Sequence, residues 1–188
     1  MSIKFENFNF ILLCVTFYAI YVNMVDAVIN PSPLFLREAE VRRGIELLYF
    51  GYSSLIKQAD ERLAKNGFGR AHHRALYFIG RQPGLTVSEL LRLLTITKQS
   101  LGRVLNDLQS GGLVEQRIGS RDRRQRLLFL TNAGKSLEAE LFDLLRTRMA
   151  AAYAEAGQQA VGGFWAVLSG LLPADLRPAV SALYGSDR

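Results

Sequence analysis

One cysteine, Cys14, in 188 residues excludes an intrachain disulfide and any zinc cluster built on cysteine, and it fits a reducing compartment. Only two histidines are present, His72 and His73. As neighbours on a helix start they project in different directions, so without further ligands they make no metal site. Five prolines and sixteen glycines are too few for a low-complexity chain, and 49% hydrophobic residues suffice for one sizeable core. The sequence also lacks a phosphate-cradling G-x-x-x-x-G-K-[ST], an H-E-x-x-H, a G-x-S-x-G and a G-x-G-x-x-G between strand and helix. These absences argue against an enzyme, and no cofactor or metal is expected.

Charge is missing from one long stretch. Asn7 to Val25 carries none, and ILLCVTFYAIYV at 11–22 is apolar apart from one threonine. The run is long enough to weigh as a membrane span, yet Lys4 and Glu6 cancel and no basic flank sets an orientation. Three readings stand for residues 1–23: a misplaced start with translation beginning at Met24, which is preferred; a membrane anchor; or a helix packed on the body. Residues 1–33 are treated as an N-terminal extension.

What the chain does have is charge concentrated in one place. The formal charge is +6, and residues 97–131 hold seven Lys or Arg against Asp107, Glu115 and Asp122, four of the six excess charges. RIGSRDRRQR at 117–126 alone has five arginines. Like charges this close repel, so either the segment is solvated or a polyanion is its counterpart.

The flanks favour the polyanion. Ile45, Leu48, Tyr49, Tyr52, Leu55, Ile56, Ala59 and Leu63 recur every three or four residues and predict one long helix over 38–66, ending near Asn66-Gly67. A second helix runs from about Ala71 to Arg81 and halts at Pro83-Gly84. Thr86 with Glu89 makes a capping box for a short helix whose buried side is Val87, Leu90, Leu91 and Leu94. After the turn at 94–97, Thr97 caps another helix whose core face is Leu101, Val104, Leu105 and Leu108. Lys98, Gln99, Ser100, Gly102, Arg103, Asn106 and Gln109 then face outward or flank it, almost free of acid. Two helices joined by a tight turn (86–110), the second offering Gln, Asn and Arg near its start, have the geometry that enters a DNA major groove. Gly111-Gly112 stops the helix, and LVEQRI and QRLLFLT form a hairpin over 113–131. Its tip carries Arg121, Arg123 and Arg124, suited to phosphates or a narrow minor groove, while Asp122 orients a neighbouring guanidinium.

The C-terminal third predicts two more helices over 131–172, the first with Leu137, Leu141, Leu144, Leu145, Met149 and Ala152 on one face, the second rich in Val161, Phe164, Trp165, Val167 and Leu168. With the helix at 38–66 they offer more apolar stripe than a small core needs, so a second copy is expected to bury it. Residues 173–188 read as a tail or short helix. The expected fold class is mainly α with a small β-hairpin wing (α+β).

The order of these elements, together with GLVEQR, the wing pattern Asp122-Arg123-Arg124 and LTNAGK at 130–135, resembles the MarR family of winged helix-turn-helix regulators over about Arg37 to Leu172. The resemblance implies a homodimer held by the N- and C-terminal helices of the 34–172 domain. It implies a pseudo-palindromic double-stranded DNA operator, and with it a cytoplasmic, nucleoid-associated transcription regulator. It places Thr97, Lys98, Gln99, Ser100, Arg103 and Asn106 at the recognition helix and Arg121, Asp122, Arg123 and Arg124 at the wing. Many relatives bind small aromatic or organic acids in a cleft that Tyr49, Tyr52, His72, His73 and Tyr77 could line here, although packing in the core or an interface is the preferred role for each tyrosine and a structural role the preferred one for both histidines. Cys14 lies too far upstream to match the cysteine of peroxide-sensing relatives. The alternative is a membrane-tethered sensor or protein-interaction module on the same fold, with a membrane partner only if residues 1–23 are genuine.

Overall fold

The computed structural model describes residues 34–119 and 122–185. The readings placed on residues 1–33 lie outside them. The chain divides into two compact units, Met1–Tyr52 and Ser53–Arg188, taken separately below.

After a 3-10 turn at Leu34–Leu36, helix α1 spans Glu38–Ala64. Glu38 and Glu40 sit in its first turn, where carboxylates meet the positive end of the helix dipole. Its stop follows from local chemistry: Gly67 takes φ +75° and Phe68 N–H donates back to Leu63 O at 3.1 Å, a glycine-terminated helix end. The buried residues of α1 are Ile56, Ala59 and Leu63, all in the second unit. In the first unit the apolar stripe is exposed, with Leu47, Leu48, Tyr49, Phe50 and Tyr52 between 44% and 67% accessible.

Helix α2, Arg70–Arg81, is the centre of the second unit. It buries His73, Ala75, Leu76 and Ile79, and it packs on the helix pair, the sheet and the helix that follows the wing. Beyond it Gly84 turns the chain at φ +88°. The sequence reading expects a two-stranded wing; the structure adds a third strand. β1, Leu85–Thr86, pairs antiparallel with β3, giving the order β1-β3-β2. Two residues are too short for a periodic signal, and only their partner, Leu127 and Leu128, reveals them.

Helix α3 (Val87–Leu94) and helix α4 (Lys98–Ser110) form the turn-linked pair. The capping box is present: Thr86 Oγ1 accepts the Glu89 N–H at 3.2 Å, and the Glu89 carboxylate takes the Thr86 N–H at 2.8 Å. The Thr86 hydroxyl also donates to the Glu89 carboxylate at 2.6 Å, and this bond first, with the one from the Thr86 backbone N–H, holds the Glu89 carboxyl below its ordinary range. Leu90 and Leu94 are fully buried. The link turns at Thr95, which adopts φ +50°, a conformation costly for a β-branched residue. Its N–H caps Leu91 O at 3.2 Å.

The wing is β2 (Val114–Ile118) and β3 (Arg126–Leu130), in register from Val114↔Leu130 to Ile118↔Arg126. Thr131 then caps α5, Asn132–Ala156, with its hydroxyl accepting Gly134 N–H at 3.0 Å and donating to Gly112 O at 2.7 Å. Of the expected α5 face, Leu137 and Leu141 are buried, Leu144, Leu145 and Met149 half-buried, and Ala152 exposed. Helix α6, Gln158–Leu171, buries none of its residues. The 173–188 segment forms a helix, α7, Arg177–Gly185. Beyond Leu141 the one buried residue among those described is Leu183, whose carbonyl accepts Arg81 Nη2–H at 2.7 Å. This joins the last helix to the end of α2.

Candidate nucleic-acid interface

Helix α4 is fixed from beneath. Leu101, Val104, Leu105 and Leu108 are 0–5% accessible, and at about 1.5–3 kcal/mol per buried aliphatic side chain this face contributes about 6–12 kcal/mol before chain entropy is charged against it. The helix therefore cannot roll without losing its core contacts. Spacing then turns Lys98, Gln99, Ser100, Gly102, Arg103 and Asn106 to solvent, and all are exposed. Thr97 begins the helix in extended backbone (φ −71°, ψ 151°). Its Oγ1 accepts Ser100 N–H at 3.1 Å and donates to Ser100 Oγ at 2.9 Å. Thr97 and Ser100 are thus engaged with each other at the helix start, and Lys98, Gln99 and Arg103 extend from the same end with no acid in the first turn.

Hydrogen bonds of the chain's own backbone hold Gly119, Asp122 and Gln125 together at the base of the wing tip. Gly119 N–H donates to Gln125 O at 3.2 Å, and a Cβ at Gly119 would lie 2.8 Å from Asp122 O, so the close approach demands glycine there. The sequence reading expects Asp122 to orient a guanidinium. In the structure Asp122 Oδ1 accepts the backbone N–H of Arg124 at 2.9 Å, an Asx turn that shapes the loop. Arg123 and Arg124 are exposed on it. Arg121 lies outside the described residues. Arg126 folds back, Nη1 donating to Arg123 O at 3.1 Å.

Not all the arginines of the 117–126 run point outward for a partner. Arg117 lies over the Phe129 ring, 4.5 Å from its centroid, and pairs with Glu115 at 2.5 Å. Only the strand register brings those three together. A second contact invisible to periodicity joins α2 to α4: His72 Nε2 lies 3.1 Å from Asp107 Oδ2.

The five residues read as lining a ligand cleft fall in both units. Tyr49 and Tyr52 belong to the first unit and are exposed. His72 is held by Asp107 and by Gly69 N–H, which donates to its Nδ1 at 3.0 Å. His73 is buried; desolvation pushes its imidazole below the usual range, and the nearby Asp60 carboxylate opposes this only in part. Tyr77 lines an apolar pocket of about 340 Å³ shared with Leu55, Phe142, Leu145, Arg146, Met149, Ala150 and Tyr153. Arg146 in its wall is paired to Asp143 at 2.5 Å, and Tyr153 Oη accepts Trp165 Nε1–H at 2.9 Å. Leu55, Leu145 and Met149 belong to apolar stripes already named and Tyr77 to the ligand candidates, but their meeting in one pocket carries no sequence signal, because three helices come together there.

Comparison with known proteins places this arrangement. A MarR family model matches residues 66–125, the stretch from the end of α1 to the wing tip. The chain is 49% identical over 144 residues to the HTH-type transcriptional regulator PetP of Rhodobacter capsulatus, covering 77% of this chain and 87% of that protein. Among solved structures it shares the fold of Streptococcus pneumoniae FabT in complex with DNA (TM-score 0.61, 19% identity, 70% of this chain and 94% of that one). It also shares that of NadR in complex with 4-hydroxyphenylacetate (TM-score 0.60, 23% identity, 74% and 96%).

Proposed function

Because the chain belongs to the MarR family, we propose that it regulates transcription as a homodimer that reads double-stranded DNA, with α4 in the major groove and the wing beside it. The observation that carries this is the pairing of a rigidly seated helix, acid-free in its first turn, with an arginine-tipped hairpin on the same unit. Lys98, Gln99, Ser100 and Arg103 are the base-reading end, supported by Thr97 and Asn106; Arg121, Arg123 and Arg124 are the phosphate-gripping residues of the tip, and Asp122 shapes its loop at Arg124. Two copies give two half-sites about one turn of DNA apart. The dimer reading is supported by unpartnered apolar surface. Trp165, Val167 and Leu171 of α6 are 57–67% accessible, and the first half of α1 exposes Tyr49, Phe50 and Tyr52.

Regulation by a small ligand completes the proposal. The Tyr77 pocket is apolar, of drug-like size, with one guanidinium in its wall, which suits a small aromatic acid; NadR is a relative in fold that holds 4-hydroxyphenylacetate. The decisive experiment is selection of bound fragments from random duplex DNA by the purified protein. Enrichment of an inverted repeat supports the reading; a monomeric protein indifferent to every duplex at ordinary ionic strength refutes it.

A further inference from the structure

The recognition helix carries a single acid, Asp107, one turn beyond Arg103 and beside Asn106. A carboxylate on a face that meets phosphates is repelled by them unless another group occupies it. His72 does so, its Nε2 lying 3.1 Å from Asp107 Oδ2 while its side chain is only 14% accessible. The other ring nitrogen, Nδ1, accepts the Gly69 N–H at 3.0 Å, so in the neutral ring the proton resides on Nε2 and is donated to Asp107. The ring also leans on Phe68, centroids 5.1 Å apart, and Phe68 Cζ fills the space where a Cβ on Gly111 would stand, 3.1 Å away. Residues 68–72 therefore hold the C-terminal end of α4 at two places, one apolar and one hydrogen-bonded.

Resting on the reading of α4 as the base-reading helix, we infer that His72 is a positioning residue: through Asp107 it sets the angle at which α4 enters the DNA groove. The leverage is geometric. From Asp107 to Lys98 the helix runs about 13 Å, so a tilt of about 10° at the clamp displaces the base-reading end by about 2 Å, enough to break a hydrogen bond to a base edge.

Two substitutions separate the two nitrogens. His72→Asn keeps an acceptor near the Nδ1 position for Gly69 N–H and loses the donor to Asp107. His72→Gln keeps a donor near Nε2 and loses the Gly69 contact. Asp107→Asn retains an accepting oxygen, and Asp107→Ala does not. The experiment measures the full-length dimer's dissociation constants for its selected operator and for a scrambled duplex of equal length at one salt concentration, alongside its melting temperature. His72→Asn and Asp107→Ala are expected each to lower the operator-to-scrambled preference about tenfold, while His72→Gln and Asp107→Asn stay within about twofold of wild type. The His72→Asn/Asp107→Ala double variant is expected to be no worse than either single one, because both remove the same bond. Unchanged preference in His72→Asn and Asp107→Ala overturns the inference, as does a loss that follows melting temperature across all four variants. A wild-type protein with no operator preference overturns the DNA-reading proposal and this inference with it; preference in the wild type with indifferent variants overturns the inference alone.

Discussion

Replacing Gly134 by alanine sets helix propensity against packing, and the structure says which wins. Gly134 is the third residue of α5, and by propensity alone alanine there gains at most about 1 kcal/mol. A Cβ at this position, however, would fall inside the Leu113 carbonyl oxygen and 3.0 Å from its carbonyl carbon. Neither atom can step aside cheaply. Leu113 is 8% accessible, at the head of β2, and its oxygen accepts Thr131 N–H at 3.1 Å, one of the bonds that seat α5 against the wing. Forcing α5 away costs about 1–3 kcal/mol for overpacking and about 1 kcal/mol for the Thr131 bond. The net is a loss of about 1–3 kcal/mol, or about 3–10 °C in melting temperature for a domain this size. Gly102→Ala is the control: on the exposed face of α4 a Cβ meets nothing within 4 Å, so the same chemical change is expected to raise stability by up to about 1 kcal/mol. Urea and thermal unfolding at one fixed protein concentration measure both. If Gly134→Ala melts at or above wild type, the packing argument is refuted.

Removing the α4 cap in Thr97→Ala should cost about 1 kcal/mol of unfolding free energy, with Thr97→Ser close to wild type; equal stability of the two would count against the cap. His73 is held below its ordinary 6.5 by burial, so the unfolded chain binds its proton more readily. Its contribution is complete above about pH 6.5 and is lost as pH falls from there towards the folded value, so His73→Leu should flatten the melting-temperature profile in that window. Arg124→Ala should make the salt dependence of DNA binding shallower by about 0.9 in log–log slope per protomer, leaving sequence preference intact; an unchanged slope would remove Arg124 from the phosphate contacts. Finally, Thr95→Asn should stabilise, since asparagine tolerates the φ of +50° that threonine resists, and a calorimetric scan of the two proteins decides it.

How legible the site was depends on the range of the interaction that makes it. Thr86 and Glu89, Thr97 and Ser100, and the apolar positions 101, 104, 105 and 108 are bound to neighbours within one or two turns, so spacing alone located the helix pair and its outward face. The hairpin was legible for the same reason, its strands being separated only by their own loop. The engagement of Arg117 by Phe129 was not, since it depends on register across two strands, nor was β1, whose two residues carry no period. What the named tyrosines and histidines touch was not legible either, since it depends on packing between helices. Tyr77 lines an apolar pocket, while His72 and His73 turned to Asp107 and to the interior.

By itself the sequence determined the element order, the caps and which helix face is apolar, because these follow from backbone hydrogen-bonding chemistry and from side-chain periods of 3.6 and 2 along one segment. Tertiary structure alone decided what each of those faces meets. The clamp of His72 on Asp107 across 35 positions, the seat of Gly134 on Leu113 and the return of Leu183 to Arg81 are close approaches between distant parts of the chain. Such contacts depend on how helices and strands pack in three dimensions, and no local pattern of residues records that packing.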